Sequence, residues 1–80
     1  MEEYRLRIKP SASKELQGIP GKGTLSRLIE RIISLAKQPR PQGAEKLAGR
    51  QHLYRIRQGD YRVIYSINEQ DRVVDVIKIG

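Results

Sequence analysis

Apolar and basic side chains alternate at the start of the chain. The alternation covers residues 4–9 and has the period of two that is typical of a strand with one buried face. Pro10 ends this predicted strand, because proline has no amide hydrogen to donate to a sheet ladder. A short helix through Leu16 is expected next, with Ser11 or Ser13 as its N-cap.

A longer amphipathic helix is predicted in the middle of the chain. From Thr24 to Ala36, apolar residues recur at spacings of three and four, which places them on one stripe of a helix whose outer face is charged. Pro39 and Pro41 end this helix before a loop that runs through Gly49.

The last third of the chain has the composition of β-strands. Three segments rich in β-branched residues and tyrosine predict a meander, namely Leu53–Arg57, Tyr61–Ile67 and Arg72–Ile79. The resulting order, β-α-α-β-β-β, predicts an α+β fold in which a four-stranded, largely antiparallel sheet carries two helices packed on one face. Eighty residues suffice for a single domain, which we expect to span residues 1–80.

The register of the first hairpin of the meander decides which side chains share a face. A two-residue turn at Gln58 and Gly59 sets Arg55 opposite Arg62 and matches apolar residues with apolar residues. A three-residue turn would mix charged residues into both faces, so the shorter turn is preferred. It predicts that Arg55, Arg57 and Arg62 lie on one face while the tyrosines face the helices.

Four apolar residues are expected on the same face as these arginines. They are Ile64, Val73, Ile77 and Ile79. An apolar patch beside arginines is typical of a protein-binding surface, and an amphipathic segment of an acidic partner would match both features. Packing by the first strand and a homodimer contact are the alternatives.

Basic residues outnumber acidic ones. Sixteen Lys and Arg against nine Asp and Glu give a formal net charge of +7, and ten of the sixteen are arginine. Since guanidinium groups suit bidentate contact with phosphate, a nucleic acid is the expected partner. The competing interpretation of the net charge is a charged, soluble surface without a specific partner. For the arginine cluster, the competing interpretation is neutralisation by Asp60, Asp75 and solvent.

Several other classes of function find no support in the sequence. The chain has no cysteine, which excludes a disulfide framework and a thiol nucleophile and suits a reducing cytoplasm. No apolar run approaches the roughly 20 residues of a membrane span, so no membrane association is expected. Clustered metal ligands and a phosphate-binding Gly-Lys-Ser/Thr loop are also absent, so neither a metal nor a small-molecule cofactor is expected.

Three segments resemble the RelE family of toxins, within the RelE/ParE superfamily. They are Pro10–Leu16, Leu47–Gly49 and, most specifically, Tyr54–Tyr65, and the similarity extends over essentially the whole chain. The resemblance implies the toxin of a type II toxin–antitoxin system that cuts mRNA in the ribosomal A site without metal, by attack of a ribose 2′-hydroxyl on the adjacent phosphate. The implied partners are a cognate acidic antitoxin, the ribosome and A-site mRNA, and the implied location is the cytoplasm.

The resemblance also implies roles for individual residues. Arg55 and Arg57 match basic positions that contact RNA and assist proton transfer, and Arg62 matches an arginine that stabilises the phosphate transition state. Glu45 lies near the position at which some relatives carry a carboxylate general base. The apolar patch becomes the antitoxin-binding surface. The implied RNA-binding residues are Lys46, Arg50, Arg55 and Arg57.

Proton transfer needs a group other than arginine, whose pKa stays above about 12. Glu45, the lone His52 and the ribosome are the candidates, and histidine titrates near neutrality. Members of the family continue past the position of Gly80 with a basic residue and a tyrosine implicated in catalysis. A chain that ends at Gly80 is therefore expected to bind antitoxin and ribosome while cleaving weakly or not at all.

Two other functions are alternatives to the RelE function. A ParE-like gyrase inhibitor would share the scaffold and the antitoxin pairing but act on a topoisomerase, and the arginine-rich segment Tyr54–Tyr65 favours the RelE function. A non-catalytic RNA-binding module would lose affinity smoothly with salt and would give no cleavage product.

Overall fold

The computed structural model of the protein describes residues 3–49 and 52–80. Within these residues the chain forms two helices and five strands, which confirms the predicted α+β class. In chain order the elements are β1 (Arg5–Ile8), α1 (Pro10–Gln17), α2 (Lys22–Ser34), β2 (Glu45–Lys46), β3 (Leu53–Gln58), β4 (Tyr61–Asn68) and β5 (Val73–Ile79).

The strands form one mixed sheet in the order β1-β5-β4-β3-β2. β1 runs parallel to β5 at one edge, and the other neighbouring strands are antiparallel. β2, at the opposite edge, adds a strand to the four that were predicted. It has only two residues, which is too short for an alternating pattern to be visible in the sequence.

The first helix begins at Pro10 and not at a serine-capped position. Its N-cap is Lys9, and no side chain of the described residues caps the helix, so the expectation that Ser11 or Ser13 is the N-cap is wrong. Proline suits this position because the first amide groups of a helix have no partner within the helix. The helix ends at Gln17.

The core lies between the helices and one face of the sheet. Ala12 of α1 and Leu28 and Ile32 of α2 are buried there. Tyr65 is also fully buried and donates a hydrogen bond from its hydroxyl to the carbonyl oxygen of Pro39 at 2.6 Å, and burial raises its pKa to about 12. The other buried strand residues of the core are Ile56, Val63, Ile67, Val74, Val76 and Ile79.

The β3–β4 hairpin turns at Gly59 and Asp60, one position later than predicted. Arg57 and not Arg55 lies opposite Arg62, so the predicted pairing is wrong by two residues. Gly59 has a φ of 62°, and the first position of a type II′ turn requires positive φ, which explains where the chain turns. Because strand side chains alternate with a period of two, this shift leaves each of them on its predicted face.

A β-bulge interrupts the pairing of β4 with β5. Tyr65 pairs with Val76, whereas the residue before Tyr65 pairs with Lys78, so Ile77 is the additional residue of the bulge. The additional residue changes the alternation beyond it, and Ile79 lies in the core at 3% exposure. The prediction that Ile79 shares a face with the arginines is therefore wrong.

Side chains from distant parts of the chain meet at the end of the sheet where β5 begins. Glu69, in the β4–β5 turn, accepts a hydrogen bond from the Tyr4 hydroxyl at 2.5 Å and forms an ion pair with Arg40. The Arg40 Nε also donates to the Tyr54 hydroxyl at 3.0 Å. The Tyr4 hydroxyl and then Arg40 lower the pKa of Glu69. This network ties the loop after α2 to the sheet.

Candidate functional site

The side of the sheet that faces away from both helices carries three clustered arginines, Arg55, Arg57 and Arg62, which we call the arginine face. Arg57 of β3 lies directly opposite Arg62 of β4, a position in which Cβ atoms are about 5 Å apart. Arg55 lies two residues before Arg57 on the same side of β3, about 7 Å along the strand. The structure therefore brings these three predicted site residues together.

Arg57 and Arg62 are the exposed members of the arginine face. In the part of the chain that the structure describes, neither forms an ion pair with a carboxylate. The Arg57 Nε donates to the carbonyl oxygen of Gly59 at 3.2 Å, which directs its side chain toward the hairpin turn. Like charges directly opposite each other destabilise a sheet by some tenths of a kcal/mol. Stability alone thus does not account for this pair.

Arg55 is half-buried and has a carboxylate partner. Its Nη2 lies 2.9 Å from Oε1 of Glu45, which is opposite Arg55 on the edge strand β2. The candidate general base therefore lies on the arginine face, with its side chain 67% exposed. Its second oxygen, Oε2, forms no hydrogen bond within the described residues and is available to accept a proton.

The carboxylates that were expected to neutralise the arginine face do not do so. Asp75 forms two hydrogen bonds with Arg7 of β1, each 3.1 Å long, and Asp60 forms no ion pair within residues 3–49 and 52–80. The ion pairs expected between these two carboxylates and the arginine face are therefore not formed within the described residues. Arg5 and Arg7 also project from this side, because β1 lies beside β5. Their alternation was visible in the sequence, but the strand order that places them here was not.

One other predicted RNA-binding residue, Lys46, is not on the arginine face. Lys46 lies opposite Tyr54, whose side chain packs against the core, so Lys46 projects from the helix side of the sheet. Because adjacent strand residues point to opposite faces, Lys46 does not share the face of Glu45 and Arg55, and its RNA-binding role stays a prediction. Arg50 lies outside the described residues.

His52 lies at the opposite end of the sheet from Arg62. Its carbonyl oxygen accepts the N–H of Ile67, which is five residues from Arg62 along β4, or about 16 Å. His52 instead lines an open cleft together with Ser66 and Asp75. The structure thus does not bring the histidine to the predicted phosphate site.

The predicted apolar patch is smaller than the sequence suggested. Ile64 and Ile77 are half-buried, and Ile64 lies directly opposite Arg55. Val73 is on the same side but only 7% exposed, and Ile79 belongs to the core. Two isoleucines beside the arginines are therefore the part of this patch that a partner can contact.

The arginine face has the chemistry of an anion-binding surface. Two guanidinium groups without a carboxylate partner among the described residues can bind a phosphate with several hydrogen bonds, and a carboxylate lies at the edge of the same surface. No group of three or more side chains able to hold a metal ion occurs among the described residues. Neither described helix is long and apolar enough to cross a membrane.

Solved structures of RelE toxins share this fold. An archaeal RelE–RelB complex from Pyrococcus horikoshii is similar at 39% sequence identity and a TM-score of 0.84, with 96% of this chain and 92% of that chain covered. The intact E. coli RelBE toxin–antitoxin complex is similar at 28% identity and a TM-score of 0.82, covering 96% and 94%. A RelB–RelE complex from Methanococcus jannaschii, at 19% identity, a TM-score of 0.76 and coverage of 92% and 87%, shows the same fold. The fold is that of a RelE/ParE superfamily toxin.

A family comparison of the sequence agrees with the structural one. Residues 6–80 match the family described as ParE toxin of type II toxin–antitoxin system, parDE. Because the match covers nearly the whole chain, the protein belongs to this family of type II toxin–antitoxin toxins. No curated protein sequence matches the chain significantly.

Proposed function

We propose that the protein is a RelBE-like toxin that binds mRNA in the ribosomal A site and cleaves it at the arginine face. The observation that carries this proposal is the direct opposition of Arg57 and Arg62, with no carboxylate partner for either in the described residues. Two adjacent like charges do not stabilise the fold. A phosphate group between them, in contrast, can accept hydrogen bonds from both guanidinium groups.

The chemistry is an internal transfer at one phosphate of the RNA. The ribose 2′-oxygen forms a bond to phosphorus while the bond to the 5′-oxygen of the next nucleotide breaks, which leaves a 2′,3′-cyclic phosphate and a 5′-hydroxyl. Glu45 accepts the proton of the 2′-hydroxyl, and the leaving 5′-oxygen takes a proton from water. Arg57 and Arg62 stabilise the negative charge of the pentacoordinate transition state, and Arg55 holds Glu45 in place.

The regulatory partner in this proposal is an acidic antitoxin. The relatives from P. horikoshii and E. coli were solved as complexes of RelE with RelB. On this chain, Ile64 and Ile77 offer apolar contacts beside Arg55, and the net charge of +7 favours an acidic segment. An antitoxin bound there would cover the proposed RNA-cleaving surface.

Gyrase inhibition is the second candidate function. It is favoured by one observation, which is that the matching family is described as ParE toxin. The scaffold is common to both functions, so fold alone does not separate them.

One experiment separates the candidates. The purified protein is added to a translation reaction, and the mRNA is examined by primer extension, while a parallel reaction contains gyrase and supercoiled plasmid DNA. The proposal predicts new mRNA ends within the translated region, none on the same mRNA without ribosomes, and no effect on gyrase. Gyrase-dependent DNA breaks without mRNA cleavage would establish the second candidate. Salt-dependent RNA binding without either product would indicate a non-catalytic module.

A further inference from the structure

In the described part of the chain, the end of β5 lacks a strand partner on its outer side. β1 pairs with β5 only as far as Ile8, opposite Val76, and the last backbone bond of that ladder runs from the N–H of Lys9 to the carbonyl oxygen of Val76. Ile79 lies beyond this point, so no strand formed by residues 3–49 and 52–80 satisfies its N–H on this side. An unsatisfied, part-buried N–H would weaken the strand end.

A carboxylate of α1 takes the place of the missing strand. Glu15 Oε1 accepts the N–H of Ile79 at 2.9 Å, and Oε2 lies 3.0 Å from Nζ of Lys78. These two contacts, the backbone one first, lower the pKa of Glu15. One carboxylate thus binds two consecutive residues of β5.

Glu15 lies on the side of α1 that packs on the sheet. Ala12, which is fully buried, and Leu16, which packs against the core, fix the face of α1 that lies on the sheet. Glu15 is three residues after Ala12 and therefore lies on the same side of the helix. Helix packing against the sheet would favour an apolar side chain at this position. The carboxylate of Glu15 is explained by its hydrogen bond with the Ile79 N–H.

The strand end that Glu15 holds is next to Arg62. Gly80 and Arg62 exchange two backbone hydrogen bonds, from Arg62 N to Gly80 O at 2.8 Å and from Gly80 N to Arg62 O at 3.0 Å. The other side of Arg62 pairs with Arg57. If the end of β5 moved away, Arg62 would lie at a free sheet edge while the like charge of Arg57 repelled it.

We propose that Glu15 is a positioning residue, whose acceptance of the Ile79 N–H holds the end of β5 and thereby fixes Arg62 on the arginine face. This inference rests on the proposed function for its effect on cleavage. The claim that Glu15 holds the end of β5 depends only on the contacts of Glu15. The hydrogen bond from the Ile79 N–H to the Glu15 carboxylate is the essential contact, because it satisfies a backbone group. The ion pair of Glu15 with Lys78 does not.

Four variants test the proposal by amide hydrogen exchange. In Glu15→Ala, the amides of Ile79, Gly80 and Arg62 are expected to exchange about tenfold faster while those of Leu28 and Ile32 stay unchanged. Glu15→Gln, whose amide oxygen can still accept the N–H, and Lys78→Met should both stay near wild type. Glu30→Ala removes a carboxylate from the exposed side of α2 and is the matched control.

The outcomes decide the proposal whether or not the protein cleaves RNA. A uniform increase in exchange across the core of Glu15→Ala, or no increase at Arg62 and Gly80, would overturn it, as would a Lys78→Met protein that behaves like Glu15→Ala. If the wild type cleaves ribosome-bound mRNA, Glu15→Ala should lower kcat with little change in KM, and Glu15→Gln should restore it. If the wild type does not cleave, the proposed function fails while the exchange data still test Glu15.

Discussion

Arg57 and Arg62 lie directly opposite each other next to the turn of the β3–β4 hairpin, and neither has a carboxylate partner within residues 3–49 and 52–80. Two carboxylates on this side of the sheet bind other arginines, since Glu45 binds Arg55 and Asp75 binds Arg7. The pair is therefore a concentrated positive charge on a rigid hairpin. Such an arrangement costs stability and becomes favourable when an anion binds.

The first prediction concerns the stability of this pair. Replacing Arg62 by Ala removes a like charge opposite Arg57, so the free energy of unfolding should stay the same or rise by some tenths of a kcal/mol. Urea denaturation at low salt measures this change. Arg27→Ala, on the exposed side of α2, is the control. A loss of more than about 1 kcal/mol in Arg62→Ala would show that the side chain has a structural role instead.

The second prediction concerns the buried tyrosine hydroxyl. Tyr65→Phe leaves the Pro39 carbonyl oxygen without its hydrogen bond in the core and should lower the free energy of unfolding by about 1–2 kcal/mol. Tyr61→Phe is the matched control, because the Tyr61 hydroxyl forms no hydrogen bond in the described part of the chain and its ring is only half-buried. Equal effects of the two substitutions in thermal or urea denaturation would contradict this account.

The third prediction concerns stability in acid. The Tyr4 hydroxyl and Arg40 hold the pKa of Glu69 below its ordinary value of 4.5. A carboxyl group with a lowered pKa contributes stability that is fully present above the ordinary value and is lost as the pH falls through the folded-state pKa. Glu69→Gln should therefore be less stable than wild type at neutral pH, and this difference should shrink below pH 4.5. Glu30→Gln should show neither effect when both are followed by circular dichroism against pH.

The fourth prediction separates the chemical role of Glu45 from its ion pair. The Glu45–Arg55 pair is largely exposed and should contribute at most about 1 kcal/mol, less at high salt. As general base, however, Glu45 should matter far more to cleavage, so Glu45→Gln should slow it by about 10²–10⁴-fold. Cleavage rates and urea denaturation of the same variant compare the two effects. If the loss in cleavage rate, expressed as a free energy, is no larger than the loss in free energy of unfolding, Glu45 is not the general base.

The sequence predicted correctly which face of the sheet carries the arginines, but not which residues pair across the two strands. Alternation with a period of two assigns each residue of β3 and β4 to a face, and this assignment survives an error of two residues in register. Turn chemistry decided the register. The positive φ of Gly59 places it first in the turn, whereas the prediction placed it second.

Features that depend on contacts between distant segments could not be predicted from the sequence. The bulge that turns Ile79 into the core comes from the pairing of β4 with β5, and nothing in the alternation of β5 marks it. The ion pairs of Glu45 and Asp75 depend on which strands are neighbours. Glu15 lies 64 residues from Ile79 in the chain, and only the folded structure shows that its carboxylate completes the sheet.

The most direct test of the arginine face as the site of RNA cleavage is a single-turnover rate. It is measured for wild type, Arg62→Ala and Arg27→Ala on an mRNA bound in the ribosomal A site. We predict that wild type cleaves slowly but measurably, that Arg62→Ala is slower still by about 10²–10³-fold, and that Arg27→Ala cleaves at nearly the wild-type rate. A wild-type rate for Arg62→Ala, or equal losses in both variants, would contradict the claim that the arginine face is where RNA is cut.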